Sequence, residues 1–166
     1  MISIKTARLF MRPLEEGDAF ELSNIANNKK IWENLTDAFP HPYTLDKAKD
    51  WITFNKQKSV PENFFVLDDI GAVGMVGFSI KEDYFEIGYW LAEHVWGRGY
   101  ATELVFALSK YLFDNYEISK ILAKVYVHNL ASCRVLEKCG FVKQDKTSKT
   151  MKAGKELDEF IYVLNR

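Results

Sequence analysis

The stretch Trp96-Gly97-Arg98-Gly99-Tyr100-Ala101-Thr102-Glu103 constrains this chain more than any other. Glycines at Gly97 and Gly99 let the backbone turn sharply and leave N–H groups without side-chain cover. The stretch stands between a β-like run, Phe85 to Leu91, and a helix whose apolar stripe is Ala101, Leu104, Val105, Leu108 and Leu112. The first turn of that helix adds unpartnered N–H groups and the positive end of its dipole. Together these suit a phosphate or pyrophosphate, and Arg98 adds a formal charge. A glycine turn without a ligand is the alternative reading. The spacing is neither Gly-x-x-x-x-Gly-Lys-Ser/Thr nor Gly-x-Gly-x-x-Gly, which disfavours a nucleotide-triphosphate loop and a dinucleotide fold.

The flanking pattern places this turn inside one α/β domain, residues 1–166. Arg8 to Leu14 reads as a strand stopped by Pro13, and Asp18 sits at an N-cap position before Phe20, Leu22, Ile25 and Ala26. Trp32 to Tyr43 reads as an aromatic loop after a short helix, and Thr44-Leu45-Asp46-Lys47 opens another helix. Phe64–Leu67, Ala72–Ile80 and Phe85–Leu91 form an antiparallel meander, separated by Asp/Gly-rich turns. After the stripe helix come a strand at Ile121–Val127, a short helix at Leu130–Lys138 closed by Gly140, and a hairpin around Ala153-Gly154-Lys155. The order β-α-α-β-β-β-α-β-α-β-β predicts a mostly antiparallel twisted sheet of about seven strands flanked by about four helices.

Composition narrows the function classes. A net charge of −1 provides no field favouring nucleic acid or an anionic membrane. The N-terminal segment is too polar for a secretory signal, and no run approaches the roughly 18 apolar residues of a spanning helix. Cys133 and Cys139 fall on different faces of one helix, which argues against a disulfide and for a reducing compartment, with the cytoplasm expected. No His/Cys/Asp cluster has metal-ligand spacing, so no metal is expected.

On two motifs the chain resembles the GNAT superfamily of N-acetyltransferases. The family's Gln/Arg-x-x-Gly-x-Gly/Ala is answered by Trp96-x-x-Gly99-x-Ala101. Its second motif is answered by Asn129-Leu130-Ala131-Ser132 followed by Glu137-Lys138-Cys139-Gly140-Phe141. Glu86-Ile87-Gly88-Tyr89-Trp90-Leu91, the loop His41-Pro42-Tyr43-Thr44 and the opening Thr6-x-Arg8-Leu9-x-x-Arg12 look like the Rim-type branch, which includes acetyltransferases of ribosomal-protein N-termini. The resemblance implies acetyl-CoA as cosubstrate and an amine acceptor, either a protein N-terminus or a small molecule, on a monomer or homodimer. It implies that main-chain groups of Tyr89, Trp90 and Leu91 pair with the pantetheine arm and that the backbone Gly97-Arg98-Gly99-Tyr100-Ala101-Thr102 holds the pyrophosphate. Asn129 would bond the pantetheine from across the cleft, where it also suits a helix N-cap. Arg134 or Arg98 would reach a nucleotide phosphate.

The match departs from the family at informative places. Trp96 replaces the Gln/Arg. Leu136 stands where many members carry a tyrosine acid, and Lys124 where some carry a glutamate base. Glu86 is the remaining candidate base, with a strand ion pair as its alternative, and Ser132 the best hydroxyl near the departing sulfur, with turn support as its alternative. With a weak base, an α-amine of pKa near 8, about one-tenth neutral at pH 7, is better served than a lysine, neutral in about one part in 2,500. The acceptor is expected between the Trp32–Tyr43 segment, with Trp32, His41 and Tyr43 contacting it, and the hairpin. Lys143, Lys146, Lys149, Lys152 and Lys155 of that hairpin would repel polycationic acceptors if they border the cleft. A small-molecule acetyltransferase and a non-catalytic CoA-binding module are the competing readings.

Overall fold

Beyond the partly buried Ala101, the apolar stripe that defines the long helix is fully buried. Leu104, Val105, Leu108 and Leu112 of α4 (Tyr100–Asn115) are each 0% exposed. Burial of such side chains stabilises by roughly 1.5–3 kcal/mol each, so this stripe alone fixes α4 on the sheet. The computed structural model describes residues 2–166.

The strands are β1 (Ile4–Lys5), β2 (Phe10–Pro13), β3 (Asn63–Leu67), β4 (Ala72–Ile80), β5 (Phe85–Leu91), β6 (Lys120–Tyr126), β7 (Val142–Lys152) and β8 (Lys155–Asn165). They form one sheet in the order β1-β2-β3-β4-β5-β6-β8-β7. Every neighbouring pair is antiparallel except β5 and β6, which α4 connects. On one face, α4 and α5 (Leu130–Lys138) cover a core built on Val76, Ile87, Leu108, Ile121 and Leu136. On the other, α1 (Ala19–Ala26) and α3 (Leu45–Lys56) pack Leu22, Ala26, Ala48 and Ile52 against Phe65 and Met75.

The expected mixed, mostly antiparallel sheet is present, with β1 as an additional short edge strand. The four-residue α2 (Lys29–Trp32), capped by Asn28 through the Lys30 amide at 2.9 Å, is the short helix before the aromatic loop. Thr44 caps α3 as expected, accepting from the Lys47 amide. Asp18 occupies the N-cap position of α1 as expected, but its side chain is used elsewhere. It makes no side-chain cap to α1; its carboxylate accepts from the Glu15 amide at 2.7 Å and ion-pairs with Arg12. Asp18 thereby holds β2 to the short 3-10 turn Glu16–Asp18 that precedes α1.

Gly74 is required by a close approach: a Cβ there would lie 2.2 Å from the Trp90 carbonyl oxygen on the neighbouring strand. The register of β3 against β4 shifts beside it, as at a β-bulge.

Leu108→Ala should lower the unfolding free energy by about 2–5 kcal/mol, read from chemical denaturation. A loss under about 1 kcal/mol would show that α4 is not held by this stripe.

Candidate active site

The sheet opens at its centre. β5 and β6 are paired only at Phe85↔Ile121 and Glu86↔Leu122. Beyond that rung β5 continues to Leu91 on β4, and β6 continues to Tyr126 on β8, so the two strands part. The edge of β5 that faces β6 has no strand partner from Ile87 onward. Main-chain groups there have unmet hydrogen-bonding capacity, which water or an extended ligand must satisfy.

A second set of unmet groups lies where β5 leads into α4. Gly97 (φ 76°) and Gly99 (φ 80°) both take the left-handed conformation, and Gly99 is the N-cap of α4. Glu103 is the first residue of the helix whose amide has a main-chain acceptor, Gly99 O at 3.2 Å; among the described residues the amides from Gly97 through Thr102 donate to no protein oxygen. The loop is braced on both sides. The Trp96 indole donates to the Leu91 carbonyl at 2.7 Å, and Arg8 Nη1 donates to the Arg98 carbonyl at 2.8 Å. Arg8 is itself held by Glu103 through Nε at 2.7 Å, with Thr6 donating to the same carboxylate. Arg98 and Arg134 are exposed, in the loop and on α5. Phosphate oxygens fit such a concavity of free amides at a helix start.

The α5 start faces this opening. Asn129 Oδ1 accepts from the Ser132 amide at 3.1 Å, so the N-cap role holds, while its Nδ2 donates to no protein group among the described residues. Ser132 Oγ lies 2.9 Å from the Tyr89 hydroxyl. Burial pushes the Tyr89 phenol up to about 12, against the effect of the Ser132 hydrogen bond, so it is protonated at neutral pH. This pairing joins β5 to α5 across the parting. Sequence reasoning assigned Tyr89 only its main chain. The alternation of β5 could have shown that its side chain faces α5, opposite Glu86, Gly88 and Trp90.

On the other face is a cleft of about 880 Å³ whose lining includes Phe39, Tyr43, Trp51, Glu86, Trp90, Lys124, Tyr126 and Glu159. Phe39 packs on Tyr43 (4.9 Å between centroids) and edge-on to Trp90 (5.6 Å), forming an aromatic wall. Glu86 stands on the floor and ion-pairs with Lys124 at 3.3 Å, so both of its expected readings, cleft residue and strand ion pair, coincide.

Of the expected acceptor residues, Tyr43 lines the cleft but is only 5% exposed, its phenol pushed up to about 12 by burial. Trp32 and His41 pack on each other at 5.6 Å outside the cleft wall. Trp32 instead carries the Lys152 amine over its ring at 3.9 Å. The hairpin lysines do not share one edge. Lys152 is buried near Asp37 (3.5 Å), Lys149 pairs with Glu156, and Lys143 lies over Phe160. Burial lowers the Lys152 pKa, partly offset by Asp37. The repulsion expected of a lysine edge therefore does not bear on the cleft. Asp37 also accepts from the Ala153 amide at 3.0 Å, pinning the hairpin tip to the acceptor loop. Leu136 is 0% exposed in the core. Sequence reasoning missed Glu159, Tyr126 and the contact of Lys152 with Asp37, because each depends on pairing across β6, β7, β8 and the loop.

Residues 8–142 match the acetyltransferase (GNAT) domain, and the chain belongs to that family of acetyltransferases. Among curated relatives, an uncharacterized N-acetyltransferase p20 of Bacillus licheniformis is 28% identical over 99% of this chain and 96% of its own length. A probable N-acetyltransferase, YjcK of Bacillus subtilis, is 31% identical over 90% and 88%. Among solved structures, a GNAT-family acetyltransferase from Bacillus anthracis superposes with TM-score 0.88 at 24% identity, covering 99% of this chain and 98% of that one. RimL, a ribosomal L7/L12 α-N-protein acetyltransferase in complex with coenzyme A, gives 0.87 at 20% over 99% and 98%. A spermidine N-acetyltransferase from Vibrio cholerae, in complex with CoA and spermine, gives 0.79 at 23% over 96% of each.

Glu103 ties the N-terminal turn to the amide loop, and its carboxyl is held below the ordinary 4.5: burial raises it, but hydrogen bonds from Thr6 and Arg8 outweigh burial. A depressed carboxylate contributes stability above the unfolded value and loses it as pH falls through the folded value. Glu103→Gln should therefore lower the denaturation midpoint at pH 7, with the gap from the parent narrowing below pH 4.5. A gap that stays constant from pH 7 to about 3 would show that the carboxylate charge is not its cause.

Proposed function

We propose that this acetyltransferase moves an acetyl group from acetyl-CoA to a primary amine, and that the α-amine of a peptide or protein N-terminus is the favoured acceptor. The observation that carries the reading is the parted β5–β6 edge lying beside a run of free amides. An extended thiol arm would add to the β5 edge as a strand does, while the amides of Gly97 to Thr102 would take the diphosphate. Asn129 would donate its free Nδ2 to the arm, and Arg98 and Arg134 would meet the outer phosphates. The RimL and spermidine acetyltransferase structures hold CoA on the same fold, which supports the cosubstrate.

In the reaction, the neutral amine nitrogen attacks the acetyl carbon, the C–N bond forms, the C–S bond breaks with its electron pair leaving on sulfur, and one N–H proton passes to the thiolate or to water. Ser132, paired with the Tyr89 hydroxyl, donates a hydrogen bond to that sulfur. Full protonation is dispensable, because a thiol of pKa about 8.5 is a fair leaving group. Glu86, its charge shared with Lys124, draws the ammonium along the cleft floor. An α-amine suits a site with no strong base, since about a tenth of it is already neutral at pH 7. A small polyamine is the second reading, favoured by the carboxylates of Asp37, Asp50, Glu62, Glu86 and Glu159 around the cleft.

Calorimetry should show CoA binding to the parent and at least tenfold weaker binding to Asn129→Ala. Thiol release from acetyl-CoA should be faster with a peptide bearing a free α-amine than with a matched N-blocked lysine peptide. Faster release with the lysine peptide, or with spermidine, would overturn the acceptor assignment.

A further inference from the structure

Most carboxylates around the acceptor cleft are already matched or open to water. Asp37 faces Lys152, Glu62 faces Lys58, Glu86 faces Lys124, and Asp50 is exposed. Glu159 differs. It is 7% exposed, yet it lines the cleft, and its one side-chain hydrogen bond comes from Ser148 Oγ at 2.9 Å. Among the described residues it has no ion-pair partner. A carboxylate can accept about four hydrogen bonds, and burying one without a matching cation is costly, so the unmet capacity points to a cationic ligand.

The register locates that capacity. Glu159 of β8 sits opposite Tyr126 of β6 and Ser148 of β7. Counting up from the last parallel rung, Glu86↔Leu122, places Tyr126 level with Trp90, on the far bank of the parting. Tyr126 reaches the acceptor loop through its hydroxyl, 3.2 Å from the Leu35 carbonyl. Its phenol is raised by burial first, then by the charges of Glu159 and Asp37, as a negative local field requires.

We infer that Glu159 is the acceptor-ammonium site of the transferase: its carboxylate receives the –NH3+ of an aliphatic primary amine and takes its first proton. The inference rests on the reading of the chain as an amine acetyltransferase. The ammonium gives a proton to the Glu159 oxygen, which frees the nitrogen lone pair. The nitrogen bonds to the acetyl carbon, the C–S bond opens, and a second N–H proton passes to the thiolate through Ser132 or water. The carboxylic acid then returns its proton to solvent, leaving amide, thiol and one released proton. The class selected is an amine that is cationic at neutral pH, over a neutral arylamine.

The test uses glycinamide, a minimal α-ammonium, titrated into CoA-saturated protein and followed by NMR. Glu159→Gln keeps the side-chain shape and an acceptor for Ser148; Asp50→Asn, elsewhere on the cleft wall, is the control. Glu159→Gln should weaken glycinamide binding at least fivefold more than the control does, with CoA affinity within twofold of the parent. Glu159→Asp, which keeps the charge one methylene back, should recover part of the loss, an outcome a merely structural role would not give. Weakening below fivefold, no recovery in the aspartate variant, or no glycinamide binding by the parent would overturn the assignment. Failure of the parent to bind CoA would instead remove the transferase reading, so the two failures are separable.

Discussion

The site depends on the incompatibility of two strand partnerships at the centre of the sheet. β5 is clasped along its whole length by β4, and β6 along its whole length by β8, but the two join each other at a single short contact. Twist accumulates within each half, and with nothing to hold them beyond Glu86 and Leu122 the halves diverge. The helix between them cannot close the opening, because its apolar stripe commits it to the core. What results is a slot with unpaired main chain on one bank, hydroxyls of Tyr89 and Ser132 at its throat, and an aromatic cleft behind it.

The two faces of β5 divide the labour. Side chains that alternate toward α4 and α5 build the core and deliver the Tyr89 phenol, whereas Glu86, Gly88 and Trp90 line the cleft. Gly88 adds no side chain there, which leaves the floor open between Glu86 and Trp90. A single strand thus separates the apolar core and the Tyr89–Ser132 pair from the polar and aromatic lining of the cleft.

Much of this was legible in the sequence because it is local. The helical stripe, the Thr44 and Asn129 caps, the antiparallel meander and the glycine turn all come from residues a few positions apart. The parts that were not legible come from pairing at a distance. Asp18 looks like an α1 cap until Arg12, brought in by β2, claims its carboxylate. The hairpin lysines look like one charged edge until strand alternation and the loop send Lys152 under Trp32 and leave Lys149 with Glu156. Glu159 is an ordinary glutamate in the sequence, and only the register of β6, β8 and β7 turns it into a buried acid on the cleft.

The Trp96 indole bridge to the Leu91 carbonyl has a geometric consequence. It ties the end of the open strand to the start of the amide turn, so the two places that would grip opposite ends of a long ligand cannot drift apart. The pair works as a fixed gauge. On the proposed assignment, a molecule whose charged head and thiol tail match that span would engage both grips at once, while a shorter one would forgo one of them. If the strand edge and the amide turn hold the cosubstrate as proposed, selection by length would be set by this Trp96 bridge, away from the acceptor cleft.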